Sequence, residues 1–236
     1  MNRALRPGHI VIAIDGPAAS GKSSTAQWVA RRLGYHHVDS GALYRAATAA
    51  QLTVGMPAEA WTEDDVCRAA ERVTFVAANG TFVPLVDGRS IEEELRGGEV
   101  TRHVSRVARM LRVREWVNEK VRATAASRNV VVDGRDMGTV VFPDATLKVF
   151  LVADPWERAR RRLIQRLGRH PADAEIAEET EAIVKRDAKD ATQTVQATDA
   201  VLIDTTFLTQ EDQVERIVAL ANAVTHRPSD TSVVDE

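Results

Sequence analysis

The chain has 236 residues, 44% hydrophobic and 28% charged, with a net charge of −3 at pH 7. That composition suits one sizeable core with appendages, or two small domains, and gives no bulk attraction for nucleic acid or an anionic membrane. Cys67 is the single cysteine, so an internal disulfide is excluded, and no Cys/His cluster has zinc spacing.

In chain order, Ile10-Val11-Ile12-Ala13-Ile14 is β-branched and apolar enough for a strand buried on both faces. The stretch AIDGPAASGKSST, residues 13–25, then places Gly16 and Gly21 around four residues, with Lys22 and Ser23 following. Strand, glycine-rich turn and helix in that order form an anion cradle: the glycines let successive N–H groups point inward, and the new helix adds its positive dipole end. The spacing predicts a nucleotide-phosphate loop, with Lys22 reaching the β- and γ-phosphates and the Ser23 hydroxyl on Mg²⁺. A plain strand-to-helix turn with an exposed lysine is the competing reading.

Residues 36–38 read as the next strand, and Asp39-Ser40-Gly41 as the cap of a helix that carries Tyr44 and Arg45. An ordinary N-cap explains Asp39 and Gly41; Arg45, in the helix's first turns, is also placed to meet a phosphate. Residues 45–128 are too many for a simple crossover, so an inserted unit is expected. Within it, helical spacing covers 62–72 and 99–127, and strands at 73–77 and 81–86 flank the tight turn Asn79-Gly80, which predicts a small antiparallel sheet. Residues 130–132, three valines, end at Asp133, a position from which a carboxylate holds Mg²⁺ beside a phosphate loop, usually through water. Arg135 and Asp136 follow the bend at Gly134, and a carboxylate, a cation and a carboxylate suit metal, phosphate and a hydrogen-bonding base. A further strand at 147–152 leads to a helix capped by Asp154-Pro155 and running to about Leu167; residues 168–171 break it, and 175–189 resume it. A strand at 201–203 and a helix at 209–225 complete the core, and the polar tail 226–236 is expected to be disordered.

This alternation predicts an α/β fold: a core of five parallel strands flanked by helices, assembled from residues 1–44, 129–153 and 191–225, with an inserted α+β unit at 45–128 and a helical lid at 154–190. No segment has the apolar length of a membrane span, and no apolar run of signal-peptide length follows the basic N-terminus, so a cytoplasmic protein is expected.

At three of these stretches the sequence resembles the bacterial cytidylate kinases: IDGPAASGKSS, DSGALYR and, the most specific, DGRDMGTVVFPDA. The resemblance continues through EVTRHVSRVARMLRVRE, RDAKD and DAVLIDTT and covers about residues 9–220. It implies a P-loop kinase core, a nucleoside-monophosphate domain enlarged by a small sheet, and a mobile lid. It further implies ATP held by Gly16, Pro17, Ala18, Ala19, Ser20, Gly21, Lys22, Ser23 and Ser24, and Mg²⁺ on the side of Ser23 and Asp133. Arg45 and Arg135 would clamp the acceptor phosphate. Ser40, Arg186 and Asp190 would meet the acceptor's sugar, and Ser105, Arg114 and Asp136 its base. Arg158, Arg161 and Arg162, at i, i+3 and i+4 of the lid helix, would swing together onto the transferring group.

Many members of that family carry an arginine three residues after the RDxxD segment, which joins the phosphate clamp; here the residue is Gln193, so a neutral amide is expected to face the acceptor phosphate. The implied reaction is phosphoryl transfer from ATP to CMP or dCMP by a monomer, with neither nucleic-acid polymer nor membrane as partner. Three alternatives stand beside this reading. A small kinase acting on UMP or another acceptor fits the loop equally well. A GTP-dependent switch needs an Asn-Lys-x-Asp motif, which the chain lacks; a non-catalytic nucleotide-binding module is favoured by Gln193 and opposed by the retention of Lys22, Ser23, Asp133 and the three lid arginines.

Overall fold

The computed structural model describes residues 9–225; the tail expectation for 226–236 lies outside the described residues. The first strand, β1 (Val11–Asp15), alternates its side chains between two apolar clusters. Val11 and Ala13 face one layer and Ile12 and Ile14 the other, all fully buried, as a strand covered on both faces requires. The phosphate-loop turn leads into α1 (Lys22–Leu33), which ends at Gly34 in the left-handed conformation. Then come β2 (His36–Asp39) and α2 (Ser40–Leu52), the latter capped by Asp39, whose carboxylate accepts the Ala42 N–H.

The insert runs through α3 (Glu63–Ala70), β3 (Val73–Ala78), β4 (Thr81–Val86), the two-residue β5 (Arg89–Ser90), the single turn α4 (Glu92–Leu95), α5 (Gly98–Val107) and α6 (Leu111–Thr124). The helical spacing over 99–127 is thus two helices. The chain turns at residues 108–110, and the Glu63 carboxylate of α3 accepts the Leu111 N–H, which caps the second. The core resumes with β6 (Val130–Gly134), a π-helical turn at Met137–Val141, β7 (Leu147–Val152), the helices α7 (Pro155–Leu167) and α8 (Asp173–Asp190), β8 (Val201–Asp204) and α9 (Gln210–Thr225).

The five strands expected in the core lie parallel in the order β2-β6-β1-β7-β8. The antiparallel pair β3–β4 is present as read, but it is not a separate sheet. Thr81 and Phe82 of β4 pair in parallel with His37 and Val38 of β2, so the hairpin extends the core to an eight-stranded sheet among the described residues. The outer edge of β2 would otherwise expose unpaired backbone groups, and β4 satisfies them. Helices α7 and α8 share an apolar cluster of their own, Ala159, Leu163, Ile176 and Ile183, against which Ala19 of the phosphate loop packs.

Candidate active site

The parallel strands end at a cavity of about 230 Å³, where a crevice is expected in an open parallel sheet. Of the residues singled out in the sequence, Ala18, Ala19, Lys22, Ser23, Ser40, Arg45, Ser105, Arg114, Asp133, Arg135, Asp136, Arg186 and Asp190 line it.

On one side lies the phosphate loop. Its path needs glycine at position 16, where a side-chain carbon would collide with the Leu151 carbonyl, and Gly21 precedes α1 at φ 86. No side chain caps α1, so its first N–H groups remain available to an anion; Ser24 Oγ donates to the Gly21 carbonyl at 2.9 Å, and Ser20 Oγ is buried without a hydrogen-bond partner. Lys22 is buried and its Nζ donates to the Pro17 carbonyl at 2.6 Å. Burial and then the charge of Arg135 pull its pKa down to about 7, a condition that a phosphate would relieve.

Ser23 Oγ donates to Asp133 Oδ2 at 2.5 Å, and the other carboxylate oxygen lies 2.8 Å from His37 Nε2. Thr81 Oγ1, on the added strand β4, lies 3.2 Å from the second ring nitrogen. Burial alone would lower the His37 pKa, but the hydrogen bond and charge of Asp133 raise it above its ordinary value. Asp39 is raised by burial and then by neighbouring Asp133. A serine hydroxyl and a buried carboxylate held together are hard oxygen donors suited to Mg²⁺ with water and phosphate oxygens completing its shell. No group of three or more His, Cys, Asp or Glu capable of holding a metal occurs among the described residues, so protein ligands alone do not make a cage.

Guanidinium groups converge across the cavity. Arg135 donates to the Gly16 carbonyl at 3.3 Å and to Asp190 at 3.4 Å, and Arg186 Nε stands 3.7 Å from the same Asp190 oxygen. Burial, followed by the charge of Arg135, lowers the Arg186 pKa to about 10; burial also lowers that of Arg45, which hydrogen-bonds the Leu95 carbonyl and Thr101. The Nε atoms of Arg135 and Arg186 are buried without a hydrogen-bond acceptor. Like charges concentrated around unsatisfied donors make a site for an anion. Ser40 Oγ donates to the Asp133 carbonyl at 2.8 Å, and this contact leaves no room for a side chain at Gly134.

At the far end Arg114 Nη2 donates to Asp136 in a close ion pair. Arg114 Nη1 reaches the Ala108 carbonyl at 3.2 Å and Gln193 Oε1 at 3.1 Å. Asp136 is 5% exposed; burial raises its pKa, opposed by Arg114. Asp15 fixes this corner from behind, because its carboxylate accepts the N–H groups of Met137 and Gly138 at 2.9 and 2.7 Å. Burial lifts the Asp15 pKa to about 6. Tyr44 is buried beside Arg114 and Asp136, and burial carries its pKa to about 12.

Gln193 also lines the cavity, where its Oε1 accepts Arg114 Nη1. The three arginines of α7 do not form one free face, and none of them lines the cavity. Arg158 is buried against the Ala18 carbonyl and Asp187, Arg161 donates to the carbonyls of Thr205 and Thr206, and Arg162 pairs with Glu179 at 3.3 Å. Helical spacing put them side by side, but α7 is packed between the loop, the β8–α9 connection and α8, and each arginine meets a different neighbour. Asp187 lies within RDAKD, one of the segments that carry the resemblance, but no role was assigned to it from the sequence.

The chain matches the cytidylate kinase family over residues 12–223. It is 40% identical to the cytidylate kinase of Chlorobaculum tepidum, over 97% of this chain and the whole of that one, and 42% identical to that of Limosilactobacillus fermentum, over 88% and 93%. A solved structure of a protein from Eubacterium ventriosum has the same fold at a TM-score of 0.52 and 11% identity, covering 91% of this chain and 99% of that one. The chain therefore belongs to the cytidylate kinase family.

Proposed function

We propose that the protein transfers the γ-phosphoryl group of ATP to CMP or dCMP, giving ADP and CDP or dCDP. The observation that carries this reading is the division of one cavity into a phosphate loop with Lys22 at one side, converging Arg45, Arg135 and Arg186 between, and the Arg114–Asp136 pair at the far end. The residues from Gly16 to Ser24 hold the donor phosphates, and Lys22 leaves the Pro17 carbonyl for them. Ser23 and Asp133 hold Mg²⁺, which supplies charge neutralisation on the transferring group when bound. Arg45 and Arg135 take the acceptor phosphate, Ser40, Arg186 and Asp190 the sugar, and Ser105, Arg114 and Asp136 the cytosine. Cytosine presents an amino donor to the Asp136 carboxylate and a ring nitrogen and carbonyl to Arg114, whereas uracil sets a carbonyl against the carboxylate.

Catalysis rests on alignment and charge rather than covalent chemistry by the protein. The acceptor phosphate oxygen is already largely ionised at neutral pH, so no general base is needed. Water competes as acceptor, and residues 154–190, as a lid over the core, exclude it when both nucleotides are bound. For Arg158, Arg161 or Arg162 to reach the phosphoryl group, the contacts described above must be exchanged, and Arg162, which among the described residues pairs with Glu179, is the least encumbered. The reading is of an enzyme that acts in the cytoplasm, as a monomer, on small nucleotides. The test is ADP formation from ATP and Mg²⁺ with a panel of nucleoside monophosphates. CMP and dCMP are expected to be used at least about a hundredfold better than UMP in kcat/KM; equal use of UMP, or ADP release that needs no monophosphate, refutes the reading.

A further inference from the structure

Helix α8 faces two parts of the cavity. Arg186 and Asp190, one turn apart, line the acceptor side, while Asp187 between them turns to the phosphate loop. Its Oδ1 accepts the Ala18 N–H at 3.1 Å and its Oδ2 accepts Arg158 Nη1 at 2.5 Å. The same Arg158 nitrogen donates to the Ala18 carbonyl at 2.9 Å, and Arg158 Nε donates to the Ala153 carbonyl at 3.0 Å. Both backbone polar groups of Ala18 are therefore held by one ion pair that joins α7 to α8, and Arg158 is only 4% exposed. Ala19 adds its methyl group to the apolar cluster beneath these helices.

We propose that Asp187 is a positioning residue that couples the donor site to the acceptor site. Charge-assisted hydrogen bonds are short and directional, so the Asp187 bonds form only when the loop and α8 stand in this relation. A nucleoside triphosphate that favours this placement of Ala18 also favours the placement of Arg186 and Asp190, one residue before and three after Asp187, and the effect is reciprocal. Asp187 does not line the cavity, so its effect passes through the loop backbone. The inference rests on the reading that Arg186 and Asp190 hold the monophosphate.

The experiment is calorimetric titration of CMP into the protein, with and without saturating magnesium and a non-hydrolysable imido analogue of ATP. In the wild type the analogue is expected to tighten CMP binding by at least about fivefold, in the range of ordinary coupling. In Asp187→Ala the factor falls to within about twofold of unity, while CMP binding without the analogue moves by less than about threefold. Asp187→Asn keeps an acceptor for the Ala18 N–H and loses the charge that holds Arg158; it carries the test if the alanine variant does not fold, and its factor is expected to drop by at least half. A wild-type factor of one, or variants that retain the wild-type factor, overturns the inference. Failure of the wild type to bind or phosphorylate CMP overturns instead the functional reading beneath it.

Discussion

Replacement of Asp136 by asparagine tests the assignment on which base choice depends. The carboxylate is 5% exposed and receives Arg114 Nη2, so its charge is used inside the protein rather than in water. Asp136→Asn keeps the shape and one acceptor oxygen but removes the charge from both its bonds, to Arg114 and to the incoming cytosine amino group. A hydrogen bond to a charged group contributes about 1.5–3 kcal/mol, so kcat/KM for CMP is expected to fall roughly ten- to 150-fold. Arg114 remains anchored by the Ala108 carbonyl and by Gln193, so the loss falls on recognition rather than on the placement of α6. The carboxamide can rotate its NH₂ toward the uracil carbonyl, so UMP is expected to lose little or to gain. The assay is kcat/KM for both monophosphates on wild type and variant, with a thermal melt as the control for folding. A CMP-to-UMP ratio that survives the substitution refutes the reasoning, because a residue that reads the base cannot be changed without changing the ratio.

Lys22→Met exchanges a buried charge for an apolar chain of similar length, so the fold is expected to be as stable as before or more so while turnover falls about a thousandfold or further; retention of a tenth of wild-type kcat removes Lys22 from the transfer step. Gln193→Arg sets a guanidinium against Arg114, so CMP affinity is expected to weaken by roughly tenfold, and tighter binding by titration would place the new cation on the phosphate instead. Asp15, with a folded pKa of about 6 against 3.8 unfolded, binds more protons folded than unfolded between those values. It therefore favours the fold below about pH 4 and loses that contribution as pH rises to about 6, on the order of 3 kcal/mol at most. Denaturant melts of wild type and Asp15→Asn across pH 4–7 are expected to differ by that slope, and parallel curves refute it.

What could be read from the sequence was what neighbours along the chain determine. The β-branched run at Val11–Ile14, the glycines at 16 and 21 and the spacing to Lys22 and Ser23 specify strand, cradle and helix locally, since backbone freedom and helix dipole act over a few residues. The three valines before Asp133 likewise announce a buried strand whose end carries charge, and the structure brings that end to the loop through the register Ile14 to Asp133. Family resemblance named Arg114 and Asp136 together, although nothing in their spacing shows that they touch. The tertiary structure alone decided the pairing of β4 with β2, because a strand edge accepts any partner of suitable register. The same holds for His37 and Thr81 behind Asp133, and for Gln193 on Arg114, 79 residues away. In α7 the periodicity of Arg158, Arg161 and Arg162 was legible but their partners were not. Periodicity gives the direction in which a side chain leaves its helix, and only the packing of the loop, α8 and the β8–α9 connection around that helix decides what it meets.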